Sequence, residues 1–556
     1  MAKRSKTRTA ELLHQIFTLL HQHDKLECMT VCRQWSNTIE NFSLFSTLRI
    51  GSMTQMNKLI EKVRHEPTQG ARVERLVLDV ELDVDFKMDI LPFFFPNVQE
   101  FLFFNIYERN DNYHMSFTKK LSPHPWYRRI EHITEYATEL HTQYILNSGL
   151  CTHLKTIVIS GTDYDLGFKF ISSLANAPGL TTLCMCDFSL AISDLELLHE
   201  TVPLLHSLTL DDGQIACHTL ASDLMRPASV MKKLTLKSIL VLFVENEILL
   251  LHYICMKYIN LFELSYDVMC MNQGIGDMER LYKEGFTRLA ETFHSHLGKL
   301  SLAFEYQNEN PFKMLDDANC QIQELTLGHV VRLPLLEQLA RSNQVRFIQA
   351  LTIDHILDTS TLQWLKEFTT LKELNLYHPY QGSVTQRKVI KLGELFAILG
   401  QTLETLRLRT HHLEFDTRHH HRKQYPISHL SFDRTLLPNQ IDVFISQTLP
   451  KLQTLKFKRC VFEKRSFLLP SMDLSYFEMI ESFPQENTYL GVTTLINDEE
   501  RWYTTKSTYS WDRLGSKDHT VFPAVTSKPF HLMRGSPSFH LVCNSVQNIF
   551  MVNTMY

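Results

Sequence analysis

Short runs with the pattern apolar-x-x-apolar-x-apolar recur along most of the chain. The last two apolar positions of each run have period two, so both side chains point to one face of a short strand. Between the runs, segments such as 194–206 place Leu195, Leu198 and Val202 at helical spacing. The clear copies are Val73–Leu78, Val98–Phe103, Leu154–Ile159, Leu180–Met185, Leu205–Leu210, Met231–Leu236, Leu261–Tyr266, Leu297–Leu302, Ile322–Leu327, Ile348–Ile353, Leu371–Leu376, Leu403–Leu408, Ile427–Phe432 and Leu452–Phe457, and two degenerate copies are Ile130–Glu135 and Leu474–Met479. The pattern predicts alternating strands and helices.

The spacing of these runs is regular. Leu183 and Leu208 are 25 residues apart, and Leu208 and Leu234 are 26 apart. Repeats of roughly 20–29 residues with this pattern are typical of leucine-rich repeats. One strand and one helix cannot bury their apolar faces alone, so the repeats must stack on one another. We therefore predict an α/β fold over residues 73–480, a curved solenoid with a parallel sheet on its concave face.

The N-terminal segment has a different character. Leu13, Ile16, Phe17 and Leu20 fall at i, i+3, i+4 and i+7, which is one stripe of a helix. Asp24 can cap a second helix that contains Leu26, Cys28 and Met29. A unit of about forty residues that is this apolar cannot hide all of its surface internally, so an exposed stripe indicates a partner surface.

The string AELLHQIFTLLHQHDKLECMTVCRQW, residues 10–35, resembles an F-box. The resemblance is carried by Glu11-Leu12-Leu13, Ile16-Phe17, Leu20, Asp24, Leu26 and Val31-Cys32-Arg33-x-Trp35, with Leu44-Phe45 similar to the closing Leu-Trp of that family. It covers about forty residues. The repeats in turn resemble those of F-box receptors more than those of extracellular receptors, since the Asn of the extracellular form and cysteine caps are missing.

This resemblance implies a substrate receptor of an SCF-type cullin–RING ubiquitin ligase. The F-box would dock on the SKP-type adaptor, and through it on the cullin, while the solenoid would present an unknown protein substrate. The implied adaptor-binding residues are Leu13, Ile16, Phe17, Leu20, Leu26, Val31, Cys32 and Trp35. Leu20 and Val31 could instead be internal core. The alternatives are a repeat scaffold that is not linked to ubiquitin transfer and, from another class, an enzyme whose site the sequence disguises.

Composition restricts the remaining possibilities. The chain has 556 residues and a net charge of −5, which gives no overall attraction to nucleic acid or anionic membrane. The longest apolar region, 238–256, is interrupted by Glu245, Asn246 and Glu247, so we expect no membrane span. Eleven cysteines without a Cys-x-x-Cys pair suggest free thiols in the core and a reducing compartment. We expect a cytoplasmic or nuclear protein, or one found in both compartments.

Catalytic and metal-binding motifs are missing from the sequence. It contains no phosphate-binding glycine loop, nucleophile elbow or His-Glu-x-x-His helix. His411, His412 and the run His419–His421 could bind a metal opportunistically, but a polar loop between repeats rarely fixes the geometry that a selective site needs. We therefore expect no enzyme, no cofactor and no functional metal.

The outward positions of the predicted strands are where a substrate would bind. Near the C-terminal end they include four basic residues, Arg407, Arg409, Lys456 and Lys458, on strands close enough to share a patch. Arginine suits carboxylate or phosphate groups, so the patch is a candidate reader of an acidic or phosphorylated degron, with a solvated basic rim as the alternative.

The residue pattern changes again near the end of the sequence, where aromatic residues alternate with Thr and Ser as in strands. A small β-rich cap over the last repeat is expected there, since terminal repeats need a cover. The predicted organisation is a basic disordered tail (1–9), an F-box-like helical module (10–50), a linker helix (51–72), the solenoid (73–480) and the C-terminal cap (481–556).

Overall fold

The computed structural model of the chain describes residues 28–33, 35–36, 39, 46–79, 90–104, 125–136, 140–160, 168–217, 227–228, 230–272, 278–302, 310–328, 333–354, 359–378, 388–399, 402–409, 411–414, 424–463, 466–481, 489–495, 499–504 and 538–553. In these ranges, helices alternate with short strands, and no helix is both long and apolar enough to cross a bilayer.

The strands mostly coincide with the repeating apolar runs. They are β1 (Thr47–Ile50), β2 (Arg75–Leu78), β3 (Glu100–Phe104), β4 (His132–Tyr136), β5 (Thr156–Ser160), β6 (Thr182–Cys186), β7 (Ser189–Ala191), β8 (Ser207–Ala216), β9 (Lys233–Phe243), β10 (Glu263–Asn272), β11 (Lys299–Leu302), β12 (Glu324–Leu327), β13 (Ala350–Ile353), β14 (Glu373–Tyr377), β15 (Lys388–Lys391), β16 (Thr405–Arg409), β17 (His411–Glu414), β18 (His429–Asp433), β19 (Leu436–Leu437), β20 (Thr454–Lys458), β21 (Val461–Phe462), β22 (Ser466–Glu481), β23 (Tyr489–Thr494), β24 (Glu499–Thr504) and β25 (Ser538–Asn553).

Helices lie between the strands. The α-helices are α1 (Met53–His65), α2 (Pro67–Gly70), α3 (Leu91–Phe94), α4 (Leu140–Ser148), α5 (Phe168–Ser173), α6 (Ile192–Thr201), α7 (Val244–Lys257), α8 (Met278–Phe293), α9 (Pro311–Asp317), α10 (Leu333–Arg341), α11 (Leu392–Leu399) and α12 (Ile441–Thr448). Short 3-10 helices also lie between the strands, at Pro125–Arg128, Leu174–Asn176, Asn343–Arg346 and Thr359–Glu367.

The chain divides into two compact units, Met1–His296 and Leu297–Tyr556. In the first unit, β1 to β6, β8, β9 and β10 pair in parallel, each with the next. In the second unit, β11 to β14, β16, β18, β20, β22 and β25 do the same. The apolar positions of the repeats align in register and are buried, for example Leu183 opposite Leu208 and Leu325 opposite Leu351. The prediction of an α/β leucine-rich-repeat solenoid is confirmed.

The helix α1 shows why the segments between strands become helical. The Ser52 side chain accepts a hydrogen bond from the backbone N–H of Gln55 and caps the first turn. Met56, Ile60 and Val63 are buried at i, i+4 and i+7, so one stripe of the helix covers the sheet.

Five residues in or directly after strands of the repeats adopt a left-handed backbone: three directly follow β6, β18 and β20, and two lie inside the long strands β8 and β9. Positive φ angles occur at Asp187 (56°), Asp212 (50°), Ser238 (52°), Arg434 (51°) and Arg459 (53°). After Asp187, β7 pairs with the end of β8 in the first unit. In the second unit, β19 follows Arg434 and β21 follows Arg459, and these two strands belong with β15 and β17 to a second parallel sheet. We refer to these five left-handed residues as the corner residues.

Parallel strand pairing extends past both predicted ends of the repeat region, at the start of the first unit and at the end of the second. The pairing begins with β1 rather than at Val73. The helix α1, which falls in the predicted linker 51–72, therefore follows the first strand of the solenoid instead of preceding it. At the other end β25 pairs in parallel with β22, with Phe477 opposite Ile549. Along the chain between β22 and β25, the strands β23 and β24 form an antiparallel pair, and β23 also pairs in parallel with β25.

One repeat places a carboxylate where the others have an apolar side chain. Glu135 on β4 is fully buried. Its Oε2 accepts hydrogen bonds from the backbone N–H (2.8 Å) and the Oγ1 hydroxyl (2.6 Å) of Thr142, at the start of α4. A buried carboxylate is tolerated when its oxygens are hydrogen-bonded, so the degenerate copy Ile130–Glu135 packs like the regular repeats.

Candidate protein-binding surfaces

The F-box-like segment is described only in its second half. Cys28 and Met29 are helical, and residues 33, 35, 36 and 39 are helical again. Val31 is 63% exposed, Cys32 is exposed, Trp35 is half-buried, and Ile39 is fully buried. Val31 is therefore at the surface and not in the internal core. The other five residues expected to bind the adaptor lie outside the described residues: Leu13, Ile16, Phe17, Leu20 and Leu26.

The exposed thiol of this segment contrasts with those of the solenoid. Burial raises the pKa values of Cys151, Cys217 and Cys255 to about 12, so these thiols are protonated and shielded at neutral pH. Cys32, by contrast, lies at the surface, where a reagent can reach it.

A short alkylation of the native chain with iodoacetamide should therefore label Cys32 and spare Cys151, Cys217 and Cys255. Mass spectrometry of the digested protein would measure the labelled fraction at each site, with urea-unfolded protein as the control in which all of them react. Equal labelling of Cys32 and the three buried thiols in the native protein would contradict the burial described here.

The outward face of the sheet in the first unit carries a group of apolar side chains. We refer to Val77, Leu102, Phe104, Tyr136 and Val158 as the apolar face patch. They occupy outward positions on four neighbouring strands, β2 to β5, and all but Val77 are partly exposed. Phe104 and Tyr136 are paired in register and stack with ring centroids 5.3 Å apart. Apolar groups left accessible on a sheet face are typical of protein-binding surfaces.

The outward face of the second unit carries the four predicted basic residues, and each has a carboxylate partner. Arg407 Nη1 lies 2.6 Å from Glu373 Oε1, and Arg409 Nε lies 3.3 Å from Asp433 Oδ2. Glu478 serves both lysines, with Lys456 Nζ at 2.9 Å and Lys458 Nζ at 3.9 Å. The strands bring the four cations together, but carboxylates on adjacent strands neutralise much of their charge.

This pairing could not be read from the order of residues along the chain. Glu373 belongs to the repeat before that of Arg407, and Glu478 belongs to the degenerate copy Leu474–Met479. Only the register places them: Glu373 is opposite Thr405, beside Arg407, and Glu478 is directly opposite Lys456. An acidic ligand would have to displace these internal carboxylates, so the four residues alone form a weaker anion site than their sequence suggests.

A buried polar cluster lies between α6 and α7 in the first unit. Lys257 Nζ is 2.6 Å from Glu196 Oε2, and the Nε2 atom of His199 is 2.9 Å from the hydroxyl of Tyr258. Burial, with a smaller effect from the Lys257 charge, lowers the pKa of His199 to about 3. His199 is therefore neutral at physiological pH.

Metal ligands do not converge in the part of the chain that the structure describes: no group of three or more His, Cys, Asp or Glu residues could hold an ion there. His411 and His412 lie on β17. The run His419–His421 lies outside the described residues.

Comparison with known proteins identifies one family profile in the N-terminal part of the chain. The F-box-like family profile matches residues 10–50. Among solved structures, the chain is similar to an internalin (inlF) from Listeria monocytogenes, with 16% identity, a TM-score of 0.27 and coverage of 62% of this chain and 89% of that one. It is also similar to Toll in the Toll–Spatzle complex from Drosophila, with 12% identity, a TM-score of 0.29 and coverage of 75% of this chain and 51% of that one. No curated protein matches significantly.

The register of the stacked repeats, rather than these low TM-scores, establishes the solenoid. The matched segment 10–50 includes β1, so the F-box-like segment runs into the first strand of the sheet without a spacer. The chain thus joins an F-box-like domain at residues 10–50 to an α/β solenoid of leucine-rich-repeat type.

Proposed function

We propose that this protein is the substrate-recognition adaptor of an SCF-type ubiquitin ligase. In this role the F-box-like domain binds the SKP-type adaptor, the cullin joins through that adaptor, and the outward face of the sheet holds a target protein. The observation that carries the proposal is the continuity of the F-box-like domain with β1, because a shared strand would hold adaptor and target in a fixed relation.

Two features of the described surfaces support this function. Val31 and Cys32, at the end of the F-box-like pattern, are exposed and available to a partner. The apolar face patch offers a second surface, and stacked aromatic rings are favourable contact groups in protein interfaces. Both surfaces suit protein binding, and neither requires chemistry from the chain itself.

Replacing both Ile16 and Phe17 with alanine should abolish capture of a purified SKP-type adaptor by the full chain. The reason is that truncation removes two large side chains of the apolar stripe, and a few such anchors carry most of an interface's energy. The measurement is a pull-down with the recombinant adaptor, followed by reconstituted ubiquitin transfer with the cullin–RING enzyme.

The matched control replaces two exposed apolar residues of the solenoid, Leu204 and Val443, with alanine. It should bind the adaptor like the wild type. If the wild type fails to capture the adaptor, or the Ile16/Phe17 variant still captures it, the chain is better described as a repeat scaffold that is not linked to ubiquitin transfer.

A further inference from the structure

Two cysteines lie next to each other on the outward face of the sheet in the first unit. Cys184 and Cys186 are two residues apart on β6, so both side chains point to the same face of the strand. Both are half-buried, whereas Leu183 and Met185, which point to the opposite face, are fully buried in the core. The strand therefore presents two thiols together at the surface.

The spacing of the two cysteines is fixed by a neighbouring strand on each side. On β5, Val158 is opposite Cys184 and Ser160 is opposite Cys186, and β8 pairs with the same residues from the other side. A strand advances about 3.3 Å per residue, which puts the two Cα atoms about 6.6 Å apart. This separation is near the upper end of the range that a disulfide spans. The two sulfur atoms can therefore interact without a rearrangement of the sheet.

The two thiols are not equivalent. The Sγ–H of Cys186 donates a hydrogen bond to the Sγ of Cys184, and this bond holds the pKa of Cys184 below its ordinary value, although burial and the Asp211 carboxylate oppose it. The charge of Lys237 has a smaller effect in the same direction as the hydrogen bond. The pKa of Cys186 is raised by the same hydrogen bond and by burial. Cys184 is therefore the thiol that ionises first and acts as the nucleophile.

The polar groups around the pair are engaged with one another. Lys237 Nζ on β9 is 2.8 Å from Asp211 Oδ2 on β8, and the Ser160 hydroxyl donates to Asp187 Oδ2 (3.0 Å). On β5 the register partners of the cysteines, Val158 and Ser160, carry no charge. Among the residues that the structure describes, no third metal ligand joins the two thiols. The pair is therefore better suited to thiol chemistry than to a metal centre.

We propose that Cys184 and Cys186 form a two-thiol modification site that reacts with low-molecular-weight disulfides of the glutathione type. This inference goes beyond the proposed function, because it assigns a covalent modification to the chain and needs neither the adaptor nor a target protein. A reactive, accessible thiol with a second thiol beside it is the arrangement that permits reversible oxidation. Val158, a member of the apolar face patch, is opposite Cys184, so a group added to Cys184 would lie beside that patch.

The reaction has two steps. In the first step the Cys184 thiolate attacks one sulfur of the disulfide RS–SR, the S–S bond breaks, and a mixed disulfide Cys184–S–SR forms as one RS⁻ leaves. In the second step the deprotonated Sγ of Cys186 attacks the Sγ of Cys184, and the second RS⁻ leaves. The two leaving groups take up the two thiol protons. Two protein thiols are thus oxidised to one disulfide, and RS–SR is reduced to two RSH.

The first step prepares Cys186 for the second. While Cys184 is a thiolate, the hydrogen bond between the two sulfur atoms is the largest cause of the raised pKa of Cys186, and the charge of Cys184 adds to it. Both contributions disappear once Cys184 is part of an uncharged mixed disulfide. Burial and the charges of Asp211 and Asp187 remain. The pKa of Cys186 therefore falls after the first step, and its thiolate becomes accessible for the second.

The test incubates the purified, fully reduced full chain with oxidised glutathione at about pH 7.5 and follows each cysteine by mass spectrometry after acid quenching. The peptide that contains both cysteines should first gain one glutathionyl group and then lose it as the internal disulfide forms. Cys460 is the control within the same chain, because it is also half-buried but its Sγ–H donates to the carbonyls of Phe432 (3.3 Å) and Lys458 (3.5 Å). It should stay reduced while the pair is oxidised.

Two substitutions at Cys186 separate its two roles. The variant Cys186→Ser keeps a hydroxyl that can donate to Cys184 but cannot form a disulfide, so the mixed disulfide at Cys184 should accumulate. Ser160 occupies the corresponding position on β5, which indicates that the sheet accepts serine there. The variant Cys186→Ala also removes the donor. Alkylation of Cys184 by iodoacetamide near pH 7 should be about threefold slower than in Cys186→Ser if the pKa of Cys184 rises by one, because the thiolate fraction falls more than its nucleophilicity increases.

Each of three results would overturn the inference: equal oxidation of Cys460 and the pair, no mixed disulfide at Cys184 in Cys186→Ser, or equal alkylation rates of Cys184 in the two variants. Urea unfolding of the reduced proteins checks that both variants fold like the wild type. If a variant does not fold, the wild-type time course decides, because an internal disulfide that forms without a preceding mixed disulfide contradicts the two-step reaction.

Discussion

Replacing Phe457 with alanine is expected to lower the free energy of unfolding of the second unit by about 3–5 kcal/mol. Phe457 is 1% exposed and lies at the centre of a cluster of phenylalanine rings. Its ring centroid is 4.9 Å from that of Phe467, 5.2 Å from Phe462, 6.0 Å from Phe477 and 6.2 Å from Phe539. Truncation removes dispersion contacts with all of these rings and leaves a cavity that a hydrogen-bonded parallel sheet cannot readily close.

The position of the cluster makes the effect informative about the C-terminal strands. Phe539 belongs to β25, which is far from Phe457 in sequence and is joined to β22 by the ladder. Hydrogen exchange during urea unfolding should show peptides from β20, β22 and β25 losing protection together, because one set of rings holds these three strands.

The matched control is Val461→Ala on β21, only a few residues away. Val461 is 44% exposed, so its truncation should change the free energy of unfolding by about 0.5 kcal/mol or less. A loss of stability in Phe457→Ala no larger than in Val461→Ala would contradict the packing of the cluster.

The stability of the first unit is expected to fall as the pH drops below about 6.5, because of His199. Burial, and to a lesser degree the Lys257 charge, lowers the pKa of His199 from 6.5 to about 3 in the folded state. The folded state thus excludes the protonated imidazole, and unfolding takes up a proton between these two pH values. His199 therefore contributes its full stabilisation above pH 6.5 and loses it as the pH falls towards 3, with a loss of about 2 kcal/mol at pH 5 relative to pH 7.5.

The variant His199→Gln isolates this effect. Glutamine does not titrate and retains a polar group that can bond to the Tyr258 hydroxyl, the partner of His199 at 2.9 Å. Urea unfolding at about pH 7.5 and pH 5, with hydrogen exchange followed in peptides from α6 and α7, should show a smaller pH dependence in the variant. The other titrating groups are common to both proteins and cancel in the comparison. Identical pH dependence in the two proteins would show that His199 is protonated without cost in the folded state.

The repeats were predictable because their signal is local and redundant. Each strand needs only two inward apolar residues and each helix one apolar stripe, and the same spacing recurs many times. The missed strands follow the same rule. Residues 45–50 and 546–551 have the apolar-x-x-apolar-x-apolar pattern, but the first lies within the F-box-like segment and the second lies outside the regular period. Both segments form paired strands, β1 and β25, so the apolar pattern alone identifies strands that the regular spacing of the repeats does not.

The candidate surfaces were less predictable, since they depend on neighbours that are remote in sequence. The alternation of the strands placed Arg407, Arg409, Lys456 and Lys458 on the outward face, where they are half-buried or exposed. The carboxylates that pair with them come from other repeats and meet them only through the register: Glu373, Asp433 and Glu478. The corner residues were equally hidden, because a left-handed backbone at Arg434 or Arg459 leaves no mark in the sequence.

The sequence by itself determined the α/β repeat architecture and the F-box-like segment, since both are encoded in short patterns of apolar residues. Tertiary structure decided which charges neutralise each other, which residues adopt a left-handed backbone, and where the strand pairing begins and ends. The physical reason is that apolar burial depends on the period along the chain, whereas charge pairing depends on which strands become neighbours and in what register.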